Sequence, residues 1–147
     1  RLAGILLGTT DLARELRVRH TPERLGFMTA LNVCVLAARA HGLDVLDGVH
    51  LDLEDDAGLR QACEQGRELG FDGKTLIHPR QLEAANAVFA PAPEELDRAR
   101  EIIAAWREAS ARGSAVVVVG GRLVENMHVA EAERLIAVAE AVAEMGW

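Results

Sequence analysis

Aromatic side chains are scarce in this sequence: it has three Phe, two Trp and no Tyr. Half of its residues are hydrophobic, so a core can be buried, but it must be built from aliphatic side chains. Cysteine is almost as rare. Cys34 and Cys63 both fall in segments predicted to be helical, which leaves no disulfide framework and no zinc spacing. They read as small buried apolar residues. No apolar run is long enough to span a bilayer, and no signal-peptide pattern is visible. A reducing cytoplasm is the expected location, with no membrane partner. Positive charge is also in short supply, with 16 basic residues against 23 acidic ones and a net charge of −7. Phosphate backbones need clustered Lys and Arg. Here the arginines are scattered along helix faces beside acids, so nucleic acid is excluded as a partner.

The 147 residues suit one domain or part of a larger one. The chain enters an apolar strand directly after Arg1, without Met or a polar lead-in. A preceding N-terminal part is therefore expected.

The stretch Gly70 to Gln81 organises the reading. A helix stops at Gly70, an apolar strand is predicted over Thr75–Ile77, and His78, Pro79, Arg80 and Gln81 follow. Polar groups at the C-terminal ends of buried strands are where α/β proteins place their chemistry. Taken alone, His78 is either a structural hydrogen-bonding residue or a chemical one.

Other segments deliver polar groups in the same way. Leu2–Leu7 is apolar on both faces and predicts a buried parallel strand. After Gly8, Asp11 reads either as the N-cap of a short helix to about Leu16 or as a functional carboxylate. Thr21-Pro22-Glu23 predicts a helix start, and apolar spacing continues to a stop at Gly42. Val45–Leu53 holds a second strand whose end is acidic (Asp52, Glu54, Asp55, Asp56). Helix capping or a carboxylate at the rim would explain those acids. A helix over about residues 57–69 follows, and another runs from Pro79 to about Phe89.

Pro91-Ala92-Pro93 marks a hinge and the best internal boundary, dividing residues 1–90 from 91–147. Beyond it come an amphipathic helix over about 94–111, a hairpin turning at Gly120-Gly121, and a helix over about 129–143. Three successive strand–helix units imply a parallel α/β sheet. Three strands are too few to bury both faces, so a piece of a (β/α)8 barrel is the favoured class.

Three segments carry a family resemblance: Leu2-Ala3-Gly4-Ile5-Leu6-Leu7-Gly8-Thr9-Thr10-Asp11, Asp47-Gly48-Val49-His50-Leu51-Asp52, and Gly70-Phe71-Asp72-Gly73-Lys74 with Ile77-His78-Pro79-Arg80-Gln81. They resemble the citrate lyase β-subunit-like group of the HpcH/HpaI aldolase superfamily, which includes malyl-CoA and citramalyl-CoA lyases. The resemblance runs through the whole chain. It implies the C-terminal part of a TIM barrel, about strands six to eight, with a helix–hairpin–helix lid. It also implies carbon–carbon cleavage of a 3-hydroxyacyl-CoA, with or without thioester hydrolysis, assisted by Mg²⁺ or another divalent cation.

By the same resemblance Asp11 is a metal ligand, whose partner Glu has no counterpart in this chain. Lys74, His78, Pro79 and Arg80 border the CoA channel. The lid carboxylate reaches a neighbouring subunit in a homotrimer or higher homo-oligomer. Where the group's pattern has Asp, this chain has Glu125, one methylene longer. The chain alone is then expected to be inactive. The alternative is a non-catalytic module that only oligomerises or binds a partner.

Overall fold

A computed structural model describes residues 2–146. It comprises two units, one ending at Phe89 and one beginning at Ala90. No helix among the described residues is long and apolar enough to cross a membrane.

The first unit is α/β. Its strands β1 (Gly4–Leu6), β2 (Asp44–Asp47) and β3 (Gly73–Lys74) form a sheet in that order. Both pairings are parallel, with Ile5 opposite Val45 and Asp47 opposite Lys74. Parallel strands need crossovers, and helices supply them: α1 (Thr9–Leu16), α2 (Met28–Ala40) and α3 (Asp56–Leu69), with α4 (Leu82–Phe89) after β3. Successive side chains of a strand alternate between faces. Val45 is therefore fully buried with Phe27, Leu31, Ala38 and Phe71, while Leu6 and Leu46 on the opposite face are 65% and 36% exposed. A second cluster of Leu59, Cys63, Ala85 and Val88 joins α3 to α4. Burial pushes both cysteine thiols up from their ordinary value, with Lys74 offsetting part of the shift at Cys63. Both thiols therefore behave as apolar groups near neutral pH.

Several details differ from the sequence reading. The first strand covers only Gly4–Leu6 and is not buried on both faces, since Leu2 and Leu6 are exposed, and the second ends at Asp47, short of Val49 and Leu51. The third strand is Gly73–Lys74 rather than Thr75–Ile77. Thr21-Pro22-Glu23 does not begin α2: Arg24 turns into the left-handed region (φ 52°), a single 3-10 turn covers Leu25–Phe27, and the α-helix starts at Met28. That reversal aims the Arg24 guanidinium into the protein. Asp11 is not an N-cap either. Gly8 holds that position and Asp11 lies in the first turn of α1, where a carboxylate still meets the favourable end of the helix dipole. Asp55 does cap α3, accepting the Gly58 N–H at 2.9 Å.

In the second unit, α5 (Pro93–Ala111) opens on a proline, and Glu95 Oε2 accepts the Ala92 N–H at 2.8 Å. The strands β4 (Val117–Val119) and β5 (Arg122–Val124) pair antiparallel. Gly120 and Gly121 both have positive φ, 55° and 75°, as a primed two-residue turn requires. The last helix, α6 (Asn126–Glu144), packs against α5.

Candidate active-site rim

All three strands of the first unit point the same way, so their C-terminal ends form one edge. The segments leaving that edge carry Asp11, then Gly48 to Glu54, then Thr75 to Arg80. Beneath the edge lies a buried charge cluster centred on Asp47, whose side chain is fully enclosed. Arg24 Nη1 lies 2.7 Å from both Asp47 oxygens, and the Lys74 Nζ lies 2.9 Å from Oδ2. The Gly48 N–H donates to Oδ1 at 2.8 Å. Arg24 Nε donates to Gln65 Oε1, and Gln65 Nε2 donates to the Glu23 carbonyl at 2.9 Å. The side chains of Arg24 and Lys74 are only 8% and 1% exposed. The Asp47 carboxylate therefore ties the α1–α2 connection, β2 and β3 together, and Gln65 joins α3 to the same block through Arg24. Gly66 on α3 makes room for the carboxylate, since a Cβ there would stand 3.0 Å from Oδ2.

Further bonds fasten the rim segments to this block. Thr75 Oγ1 donates to the Asp47 carbonyl at 2.9 Å. Gln81 is 3% exposed. It donates to the His50 carbonyl at 3.0 Å and accepts the Ile77 N–H at 3.0 Å, joining two segments of the edge. Gly48 allows the first two segments to touch. A Cβ at that position would collide with Thr9 Oγ1 and Cγ2 and stand 2.9 Å from the Leu7 carbonyl oxygen. Gly48→Ala is expected to lower stability by about 1–3 kcal/mol, the usual range for overpacking; denaturant unfolding measures it, and an unchanged midpoint contradicts the close approach.

The residues singled out from sequence divide between structural and open positions. Lys74 does not present a free ammonium at the rim, because it is enclosed against Asp47. His78 Nδ1 accepts the Arg80 N–H at 3.2 Å, capping the 3-10 turn that begins at Pro79. The neutral ring then carries its proton on Nε2. Arg80 Nη1 pairs with Glu54 at 2.9 Å in an exposed setting. Asp11 is exposed at the start of α1. Glu125 lies in the second unit as the N-cap residue of α6; its N–H donates to His128 Nδ1 at 3.1 Å.

Sequence reasoning missed Arg24 and Asp47. It also missed the part played by Asp72, which receives two bonds from Arg39 at 2.8 Å each and accepts the Val45 N–H at 2.8 Å. In the Gly70-Phe71-Asp72-Gly73-Lys74 block, Gly70 ends α3 with φ 96°, Phe71 is core, Asp72 is a staple and Lys74 a buried counter-ion. Gly73 lies close to Leu46, its Cβ position 3.1 Å from Cδ2.

Residues 1–79 match the HpcH/HpaI aldolase/citrate lyase family. The chain belongs to this family. Among its relatives, the (3S)-malyl-CoA thioesterase of Cereibacter sphaeroides is 54% identical over 97% of this chain and 50% of its own length. Citrate lyase subunit beta of Leuconostoc mesenteroides is 37% identical over 96% of this chain and 47% of its own. The chain thus spans about half the length of the curated relatives it matches. Of solved structures, CitE of Mycobacterium tuberculosis in complex with magnesium, acetoacetate and coenzyme A matches with a TM-score of 0.76 and 28% identity. That match covers 94% of this chain and 52% of CitE.

Proposed function

We propose that the protein carrying this sequence hydrolyses the thioester of a malyl-CoA-type 3-hydroxyacyl-CoA, adding water across the C–S bond to give a hydroxy acid and free CoA. The 54% identity to a (3S)-malyl-CoA thioesterase along 97% of the chain carries this reading. In it, residues to about 90 form the C-terminal part of a (β/α)8 barrel, and residues 91–147 form the lid. The 37% identity to citrate lyase subunit beta favours a second reading, in which the carbon–carbon bond of the same substrate class is cleaved.

Asp11 is an exposed hard-oxygen ligand at the rim, suited to Mg²⁺, which binds through one or two carboxylates and keeps positions open for substrate oxygens. The described residues include no group of three His, Cys, Asp or Glu side chains able to hold an ion. Asp11 therefore supplies one ligand of the set. When bound, the cation supplies Lewis-acid stabilisation of charge on a substrate oxygen. His78 and Arg80, exposed at the same rim, offer N–H donors to the anionic groups of CoA. A phosphate there competes with Glu54 for Arg80, as charge-assisted bidentate pairing allows. Pro79 starts the turn that aims both, and Lys74 acts from below by fixing Asp47 and the end of β3. Glu125 is the acid–base group that the lid brings to a neighbouring copy.

The test gives malyl-CoA and citramalyl-CoA to the intact protein carrying this sequence. Free thiol and carbonyl products are followed separately, with and without EDTA. Thiol release without carbonyl product is expected, and EDTA is expected to stop it. A carbonyl product with CoA still acylated selects the lyase reading. Tight binding of both esters without turnover selects the non-catalytic module, and turnover undiminished by EDTA removes the metal from Asp11.

A further inference from the structure

The segment that leaves β2 and the segment that leaves β3 are tied together by bonds of different kinds. At the strand ends Thr75 Oγ1 donates to the Asp47 carbonyl. Further along, the Gln81 carboxamide joins His50 to Ile77. Beyond His50 in the chain, Glu54 pairs with Arg80 in an exposed setting.

The Gln81 bridge is enclosed, and both of its partners are backbone groups. Ile77 offers an N–H and His50 a carbonyl oxygen, so the orientation of the amide is fixed. Such a bridge needs a donor and an acceptor on one terminal group. A carboxylate cannot donate, and an ammonium cannot accept. Gln81 also closes the turn it anchors, because its own N–H donates to the His78 carbonyl at 3.0 Å. The turn that presents His78 and Arg80 is therefore fastened by bonds that do not use the Arg80 side chain. An exposed ion pair such as Arg80 with Glu54 is exchanged at little cost, whereas a buried amide left without partners is costly.

We propose that Gln81 is a positioning residue for the CoA site. Its carboxamide, rather than the ion pair outside it, holds the two rim segments at their spacing, so that Arg80 can leave Glu54 for a phosphate of CoA without the rim coming apart. This rests on the reading that sets Arg80 against CoA.

Hydrogen exchange of the intact protein, and titration of it with CoA, test the proposal. Gln81→Met keeps the length of the side chain and removes both polar atoms. It is expected to speed exchange across residues 75–80 and to weaken CoA binding by about tenfold, as when the competent arrangement falls to about a tenth of the population, with the circular dichroism spectrum unchanged. KM for the CoA ester should rise in proportion at nearly constant kcat, the mark of lost binding rather than lost chemistry. Glu54→Gln should leave that exchange as in the wild type and tighten CoA by up to about fivefold, the worth of an exposed pair. Gln81→Glu still accepts the Ile77 N–H but cannot donate to His50 while ionised. Compared with the wild type at the same pH, its CoA binding should be weak at about pH 8 and recover at about pH 5, since burial raises the pKa of a carboxyl group and the protonated acid donates again. Exchange in Gln81→Met that equals the wild type, or is matched by Glu54→Gln, overturns the proposal. Undiminished CoA affinity in Gln81→Met, or the same deficit in Gln81→Glu at both pH values, also overturns it. A wild-type protein that binds no CoA removes Arg80 from the CoA site instead, and the exchange comparison still decides whether Gln81 holds the rim.

Discussion

Asp47→Asn is expected to cost the first unit about 3–5 kcal/mol of stability, the range for removing one partner of a buried ion pair. The neutral side chain keeps the shape of aspartate. It loses the one negative charge that faces both Arg24 and Lys74, whose side chains are 8% and 1% exposed. Two buried cations are then left without a counter-ion, which a low-dielectric interior penalises severely. Small domains are stable by only about 5–15 kcal/mol, so the loss takes a large part of the total. The control is Glu54→Gln. It removes an ion pair as long as that of Lys74 with Asp47, 2.9 Å, in which Arg80 and Glu54 are 53% and 83% exposed, and exposed pairs are worth about 0–1 kcal/mol. Urea unfolding followed by circular dichroism compares the two, and losses of equal size would show that Asp47 does not anchor the rim. Replacing Arg24, Asp47 and Lys74 together by Met, Leu and Met should recover much of the loss, because an apolar trio of similar volume leaves no charge unpaired.

Asp11→Asn carries the largest expected effect on activity. A metal acting as Lewis acid contributes several kcal/mol of transition-state stabilisation, and each 1.36 kcal/mol is a factor of ten in rate. kcat/KM for the malyl-CoA-type ester is therefore expected to fall by about a hundredfold or more. Stability should be almost unchanged, since Asp11 is exposed. Full activity in this variant at ordinary Mg²⁺ would remove Asp11 from the metal site. Opposite signatures of Asp47 and Asp11 would separate a carboxylate that builds the rim from one that, as proposed, holds the metal.

Much of this arrangement could be read in the residues, and the failures have identifiable causes. The apolar run ending at Gly8, the stops at Gly42 and Gly70 and the Gly120-Gly121 turn all follow from local chemistry, and local chemistry is what a sequence displays. The third strand was misplaced because Thr75–Ile77 is apolar and β-prone, whereas Gly73 and Lys74 join the sheet through backbone pairing with Leu46 and Asp47. The family resemblance sets Lys74 beside the CoA channel as a cation for phosphates. Only the register that sets it opposite Asp47 shows otherwise. Arg24 was hidden for a related reason: Thr21-Pro22-Glu23 is a good helix start, and burial of the guanidinium overrides it. The one available signal was an aspartate at the end of an otherwise buried strand, which needs cations from elsewhere in the chain. Asp11, His78, Arg80 and Glu125 are exposed, and their assignment rests on resemblance rather than on packing.

The cluster beneath the rim also bears on the order of folding. Arg24 meets Gln65 across 41 residues, and Lys74 meets Asp47 across 27. Such contacts reward the chain only after long loops have closed. Desolvating three charges also gains nothing until every partner is in place. The cluster should therefore assemble after the transition state for folding, once α2 and α3 have packed on the sheet. Interactions formed that late scarcely alter the rate of folding and mainly slow unfolding. Asp47 then acts chiefly as a kinetic brake, governing how long the folded unit persists rather than how quickly it forms.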